Sequence, residues 1–498
     1  MASATPPLAT FGQEHFGQAY LGDCRRTRCL VDLADRFFKH PGGTLPHKCK
    51  CPKALRRCYD LMKVNAVTHQ AVLEPHVQRT LRLVQQHPGV VLYLHDGSEL
   101  DYSGLTSLHD HLGQIGNGFG KGYECLNSLA VLPRPRTVLG LVSQLLHVRP
   151  HVPKNETLLQ RRQRESRESL LWLRAVDAVA LATERCRRQL GLYQPPPGLL
   201  EVDVADRASD TFEFLDHEDL RNRKYVLRSL HNRSIRVGHG EEDGATACLH
   251  DHLRTLPEQG RREVEIPERD GRPARKAPVA IAWAAVTILR PQNQRGHYRK
   301  QSLKIWAVRV WEVGPVPSGA EAVEWFLLTN LVVAICAQAW EKVDWYCCRW
   351  VLEEFHKAQK TGCAIEDPQF TKVERLQPMI ALLSVVAVGL LSLRDLSRDA
   401  RLRDLPAAEV VDEELVDLLS GWRYGEVRPL SVREFFVALA RLGGHQNRKC
   451  DGAPGWLVLW RGWMDLQSMA AGARAARAPR RSPAMPPDAA TNASTDSG

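Results

Sequence analysis

No long hydrophobic run interrupts this chain of 498 residues; the longest apolar stretch, Met379–Leu393, is broken by Ser384, Gly389 and Ser392. At about fifteen residues it falls short of the roughly 20 that a membrane-spanning helix needs. A buried helix is expected there, and no membrane partner. The opening residues lack a basic start followed by an apolar stretch, so no secretory signal is expected. The 13 cysteines are odd in number and scattered, apart from the near neighbours Cys347, Cys348 and Cys363. In the absence of a secretory signal they read as reduced thiols, and the location expected is cytoplasmic. His47, Cys49, Cys51 and Cys58 lack the paired C-x2-C spacing of common structural zinc sites, which argues against zinc there.

What is present is a soluble, globular composition, with 44% hydrophobic and 25% charged residues. The length calls for two or three domains with sizeable cores. A formal net charge of +10, carried mainly by arginine, suits a polyanionic partner, because each neutralised phosphate releases counterions.

Leu21–Leu83 is basic and helical in pattern, with Arg25, Arg26, Arg28, Lys48, Lys50, Lys53, Arg56 and Arg57. Gly89–Leu94 is a continuous apolar run that reads as a buried strand ending in a turn at His95-Asp96-Gly97. Leu199–Ala205 alternates apolar with acidic residues and ends at Asp206, while Leu129–Leu132 and Val138–Val142 are further strand candidates. Arg233–Arg309 is basic, rich in Pro and Gly, and alternates in parts, as a β-rich insertion would. Helical patterns follow, and the last residues show no periodicity, as in a disordered tail.

One helical segment concentrates chemistry. On an α-helix counted from Tyr346, Arg349 falls near roughly −60°, Glu353 near roughly −20° and Lys360 near roughly −40°. A carboxylate, two cations and a phenol thus share one stripe, while Val351, Leu352, Phe355 and Ala358 face the other way. The pattern is equally that of an amphipathic helix with a solvated charged face. Asp96 and Asp206 each terminate a candidate strand, where an aspartate either starts a turn or meets a ligand. Phosphoryl transfer uses several carboxylates to hold two cations, with nearby basic groups on the phosphate.

The sequence resembles the DDE transposases of the insertion-sequence-four family. Tyr346, Arg349, Glu353 and Lys360 match every position of that family's Tyr-x2-Arg-x3-Glu-x6-Lys signature. Asp206-Arg-Ala-Ser-Asp210 is similar to the block around its second catalytic aspartate, and His95-Asp96-Gly-Ser-Glu-Leu-Asp-Tyr102 to the first. Leu21-Gly-Asp-Cys-Arg-Arg-Thr27 resembles its N-terminal DNA-binding segment, and Ala440–Gly444 with Gly455-Trp456 and Trp460-x-Gly-Trp463 its C-terminal dimerisation domain.

The resemblance implies an α/β fold: a ribonuclease-H-like catalytic core with a β-rich insertion, flanked by N-terminal and C-terminal helical domains. The divisions it implies are a DNA-binding domain at 1–70, a catalytic domain at 71–375 with the insertion at about 233–318, a dimerisation domain at 376–470 and a tail at 471–498. Asp96, Asp206 and Glu353 would hold two Mg²⁺ or Mn²⁺ ions per site. In that family water nicks one strand, the released 3′-hydroxyl forms a hairpin on the other, and the reopened 3′ ends are joined to target DNA. The partners implied are double-stranded DNA, as transposon-end inverted repeats and as target, and a second copy of the chain in a homodimer on DNA. The location is the bacterial cytoplasm, with the nucleoid when DNA-bound. Tyr346, Arg349 and Lys360 would contact the terminal phosphates, with Arg228, Arg25 and Arg26 as further DNA contacts. Trp325 would receive a flipped base, or else pack in the core before Phe326-Leu-Leu328. Gly97-Ser98-Glu99 and Leu230 depart from the family pattern but leave the three carboxylates intact. The alternative is a catalytically impaired, transposon-derived DNA-binding protein.

Overall fold

Strands of alternating and continuous apolar character build one sheet that organises the molecule. The computed structural model describes residues 10–116, 118–150, 155–157, 160, 164–239, 245–266, 275–292, 298–317, 321–448 and 451–477. A meander of β1 (Val90–Asp101), β3 (Gly120–Pro133) and β4 (Arg136–His147) pairs antiparallel, with short β2 (Gly113–Ile115) on the β3 edge. On its other side β1 pairs parallel with β5 (Leu200–Ala205), and β5 pairs parallel with β6 (Lys224–Arg228). Helix α6 (Leu171–Gln189) makes the crossover between β4 and β5, and α7 (Phe212–Leu220) the one between β5 and β6. Three antiparallel strands followed by two parallel ones, with helices in the crossovers, is the order of a ribonuclease-H-like core.

The expected β-rich insertion extends the same sheet. From β6 the chain passes through β7 (Ser234–Val237), β8 (Thr246–Cys248), the short helix α8 (Leu249–Thr255), β9 (Gly260–Ile266), β10 (Arg275–Leu289) and β11 (Ser302–Glu312). It then returns as β12 (Glu324–Thr329), antiparallel to β6. Strand alternation divides the apolar residues between two faces. Val202, Val204, Val226 and Leu327 join one core, and Tyr225, Leu227, Phe326 and Leu328 the other.

The N-terminal helices α1 (Phe11–Phe16), α2 (Cys24–Lys39), α3 (Leu45–Cys49), α4 (Pro52–Met62) and α5 (His69–Gln85) begin where the sequence supplies caps. Thr10, Asp23 and Thr68 accept the bonds of Gln13 N, Arg25 N and Ala71 N, satisfying otherwise orphaned donors. The apolar stretch Met379–Leu393 lies inside α11 (Val373–Arg398), which packs against α5, α2 and β4. It is long and apolar enough to cross a membrane, but 89% of its most apolar window is buried inside the protein. Burying each of Leu382, Leu383, Leu390 and Leu391 stabilises the fold by about 1.5–3 kcal/mol.

The C-terminal helices are α12 (Glu413–Tyr424), α13 (Val432–Leu442) and α14 (Trp456–Ala476), with α9 (Cys336–Cys347) and α10 (Trp350–Lys357) earlier in the chain. α13 and α14 touch backbone to backbone: a Cβ on Gly462 would stand 2.0 Å from the Leu439 carbonyl oxygen. The expected tail does not begin at 471. The alanine-rich end of α14 keeps its helix through Ala476, and Arg474 pairs with Glu414 at 2.8 Å. Residues 478–498 lie outside the described residues.

Candidate active site

Parallel pairing of β1 and β5 sets His95 opposite Ala205, so the next residues, Asp96 on β1 and Asp206 just past the end of β5, follow at the same level. Asp206 leaves its strand as expected, and its carboxylate accepts from Ala208 N at 2.9 Å. Asp96 does not end a strand: β1 runs five residues further, pairing Gly97 with Leu126 and Ser98 with Cys125. The expected turn at Gly97 is absent because β3 supplies ladder partners for that polar stretch. A Cβ at Gly97 would come within 2.5 Å of Glu124 Oε1, so a larger residue there displaces that flexible carboxylate.

Asp96 is 9% exposed, and Gly97 N donates to its Oδ1 at 3.0 Å. Burial pushes its carboxyl up to about 7; Arg349 opposes the rise, and the carboxylates of Asp206 and Glu353 add to it. The Asp96 carboxyl therefore feels both of the other acidic groups.

The single helix expected from Tyr346 to Lys360 is three pieces. α9 carries Tyr346, and the chain then tightens, with Cys348 N bonding Trp345 O and Arg349 N bonding Tyr346 O, both at 3.0 Å. α10 carries Glu353, and a π-helical turn, Ala358–Gly362, carries Lys360. The stripe survives for its first three members. Arg349 Nη1 donates to Asp96 Oδ2 at 2.5 Å and Nη2 to Glu353 Oε1 at 3.2 Å. Lys360 pairs instead with Glu366 at 3.3 Å, beyond the widened turn.

Arg228, Trp325 and Tyr346 form a second group continuous with the first. The Arg228 guanidinium lies 5.4 Å from the Trp325 ring centroid, and Trp325 meets Tyr346 edge-on at 5.5 Å. Burial pushes the Tyr346 hydroxyl up, and the Arg349 and Arg228 charges oppose it. Trp325 is half-buried, so a packing role and an exposed face coexist in one side chain. In the N-terminal segment Arg25 is exposed beside Asp23 at 2.8 Å, whereas Arg26 Nη1 donates to Leu21 O at 2.9 Å and braces the loop before α2.

Three carboxylates are hard oxygen donors of the kind that Mg²⁺ and Mn²⁺ take. Among the described residues no group of three or more His, Cys, Asp or Glu is set at ligating spacing. At this site the Arg349 guanidinium bridges Asp96 and Glu353. The donor chemistry fits the ions. Of the possible zinc group, His47 Nδ1 bonds Gly42 O at 3.1 Å and Cys51 Sγ accepts from Ala54 N at 3.4 Å, so both serve their own backbone.

Sequence reasoning passed over His95, Asp203 and Arg223, which are fully or largely buried. Burial works against ionised Asp203, and Arg223 and His95 overcome it, holding its carboxyl below the usual range. A signal was available: an acid at an inward position of an alternating strand demands a partner.

Residues 9–67 match a family described as Transposase DNA-binding. The match covers α1–α4 with Arg25 and Arg26, so the chain carries a transposase DNA-binding segment at its N-terminus, and DNA is the partner it points to.

Proposed function

We propose that the chain is a cut-and-paste DNA transposase of the insertion-sequence-four kind, close to the transposase of transposon Tn-five. The observation that carries the reading is that Arg349 bonds both Asp96 from β1 and Glu353 from α10, while the parallel register sets Asp206 beside Asp96 at the end of β5. Asp96, Asp206 and Glu353 would hold two Mg²⁺ or Mn²⁺ ions, which supply activation of the attacking oxygen and neutralisation of the leaving one. Arg349 and Tyr346 hold the terminal phosphate of the cut strand, with Arg228 behind them and Lys360 further along the same strand. Trp325 offers a ring face to a base turned out of the duplex. The N-terminal helices, through Arg25 and neighbouring cations, grip the transposon end. The C-terminal helices pair two copies, and the protein works in the bacterial cytoplasm on nucleoid DNA.

The test is cleavage of an end-bearing duplex by Asp96→Ala, Asp206→Ala and Glu353→Ala. Each variant is expected to bind the end and leave it uncut. A variant that nicks at the wild-type rate removes that residue from the site. Wild-type protein that binds ends but never cuts, with any metal, supports the impaired DNA-binding protein instead.

A further inference from the structure

Beside the two aspartates in sequence, a row of buried and half-buried polar groups crosses the sheet from strand to strand. His95 on β1 is fully buried, with Nδ1 2.8 Å from Ser128 Oγ on β3 and Nε2 2.8 Å from Asp203 Oδ1 on β5. Asp203, 1% exposed, accepts from Arg223 Nε at 2.5 Å and Nη2 at 2.8 Å. The Arg223 carbonyl, just before β6, accepts from Asn330 Nδ2 at 2.7 Å, just after β12. Asn330 Oδ1 in turn accepts from Tyr225 N on β6 at 3.3 Å. The row therefore links β3, β1, β5, β6 and β12, which are neighbours in that order in the sheet. Its members sit beside the proposed site in sequence: His95 precedes Asp96, Asp203 lies on the strand that ends at Asp206, and Asn330 follows the strand of Trp325.

Stability alone does not account for such a row. Replacing a buried ion pair by apolar residues of similar volume is often neutral or stabilising, because desolvation offsets the attraction. What charged, directional bonds supply that packing does not is a fixed lateral spacing and register. Two cations roughly 3.5–4 Å apart need their carboxylates held within about 0.5 Å.

We propose that His95, Asp203 and Arg223 are positioning residues that set the separation of Asp96 and Asp206 for two divalent cations. The proposal rests on the metal-dependent reading above. It is tested by Mn²⁺ binding to the full-length protein, followed by the electron-spin signal of free Mn²⁺, well below each variant's melting temperature. Asp96→Asn is the reference and is expected to abolish the site. His95→Ala is expected to weaken Mn²⁺ binding at least tenfold, and His95→Gln, which keeps a donor toward Asp203, to recover most of the loss. Ser128→Ala leaves every charge paired and is expected to weaken it about threefold, which preserves the test if His95→Ala does not fold. Wild-type affinity in His95→Ala and Ser128→Ala, with Asp96→Asn inactive in binding, overturns the positioning role and leaves the metal site standing. Equal losses in His95→Ala and His95→Gln that follow their melting temperatures reduce the row to a structural one and overturn it too. Unchanged binding in Asp96→Asn fails the metal site itself, and the positioning role with it.

Discussion

Arg349 Nη1 and Asp96 Oδ2 lie 2.5 Å apart across a separation of 253 residues. The pair couples a cation to a carboxyl that burial pushes up to about 7, well above the usual aspartate value of 3.8. A folded-state value raised above the unfolded one favours folding while the group is protonated, so that contribution is lost as pH rises from about 4 through about 7. Asp96→Asn, neutral and isosteric, is therefore expected to exceed the wild type in stability in metal-free buffer at pH 8, by roughly 1–3 kcal/mol. The difference is expected to shrink towards pH 4. Urea melts of both proteins at a series of pH values measure it. Arg349→Gln, which removes the opposing cation, is expected to widen it.

A different pH response is expected where α1 meets α5. His15 Nδ1 and His76 Nδ1 are 2.8 Å apart, and His76 Nε2 accepts from Leu141 N at 3.0 Å. Burial first, and then the Arg79 charge, lowers His15 from 6.5 to about 3; burial, His15 and Arg79 lower His76 as well. These depressed values stabilise the neutral pair above about pH 6.5, and that stability is lost as pH falls. Amide protection factors in α1, corrected for the slower intrinsic exchange at lower pH, are expected to fall between pH 7 and pH 5, and His15→Leu to remove the fall.

Trp325 separates two steps of the proposed reaction. Trp325→Ala is expected to nick the first strand normally and to accumulate nicked product with few hairpins. Loss of roughly 1–3 kcal/mol of stacking slows closure by about 5- to 150-fold. Time courses of both products on a labelled end, beside a melting curve, report it. Parallel loss of nicking and hairpinning with a lower melting temperature would assign Trp325 to packing against Tyr346 alone.

Gly462→Ala is expected to destabilise the C-terminal helices by roughly 1–3 kcal/mol, because its Cβ meets backbone that has no side chain to swing away. Thermal melting of this variant, against Gly472→Ala where nothing lies within 4 Å, isolates the effect.

Strand positions were legible where side chains alternated or ran apolar: Leu199–Ala205 is realised as Leu200–Ala205, and the candidates around Leu129 and Val138 lie inside β3 and β4. Asp96–Asp101 was not legible as strand, because its ladder comes from Glu124 and its neighbours on β3 rather than from its own pattern. Helical spacing grouped Tyr346, Arg349 and Glu353 correctly despite the break at Cys348. It failed for Lys360, since a π-helical turn changes the angle per residue and leaves no mark in residue type. The row from Ser128 to Asn330 joins five strands remote in sequence, which spacing along the chain does not reveal.

α11 touches α2, β4 and α14, and α2 and α14 also meet each other, with Trp463 Nε1 donating to Phe38 O at 3.3 Å. At 26 residues α11 is about 39 Å of stiff rod. Gly389 fixes the first of these joints, for a Cβ there would strike Phe11 at 2.6 Å and Phe38 at 2.9 Å. Under the proposed function, this rod makes the distance from the gripped base pairs to the cut phosphate a property of the protein rather than of the DNA. On that reading the protein is a ruler: two base pairs inserted between those points move the cut by two, instead of being absorbed by a hinge.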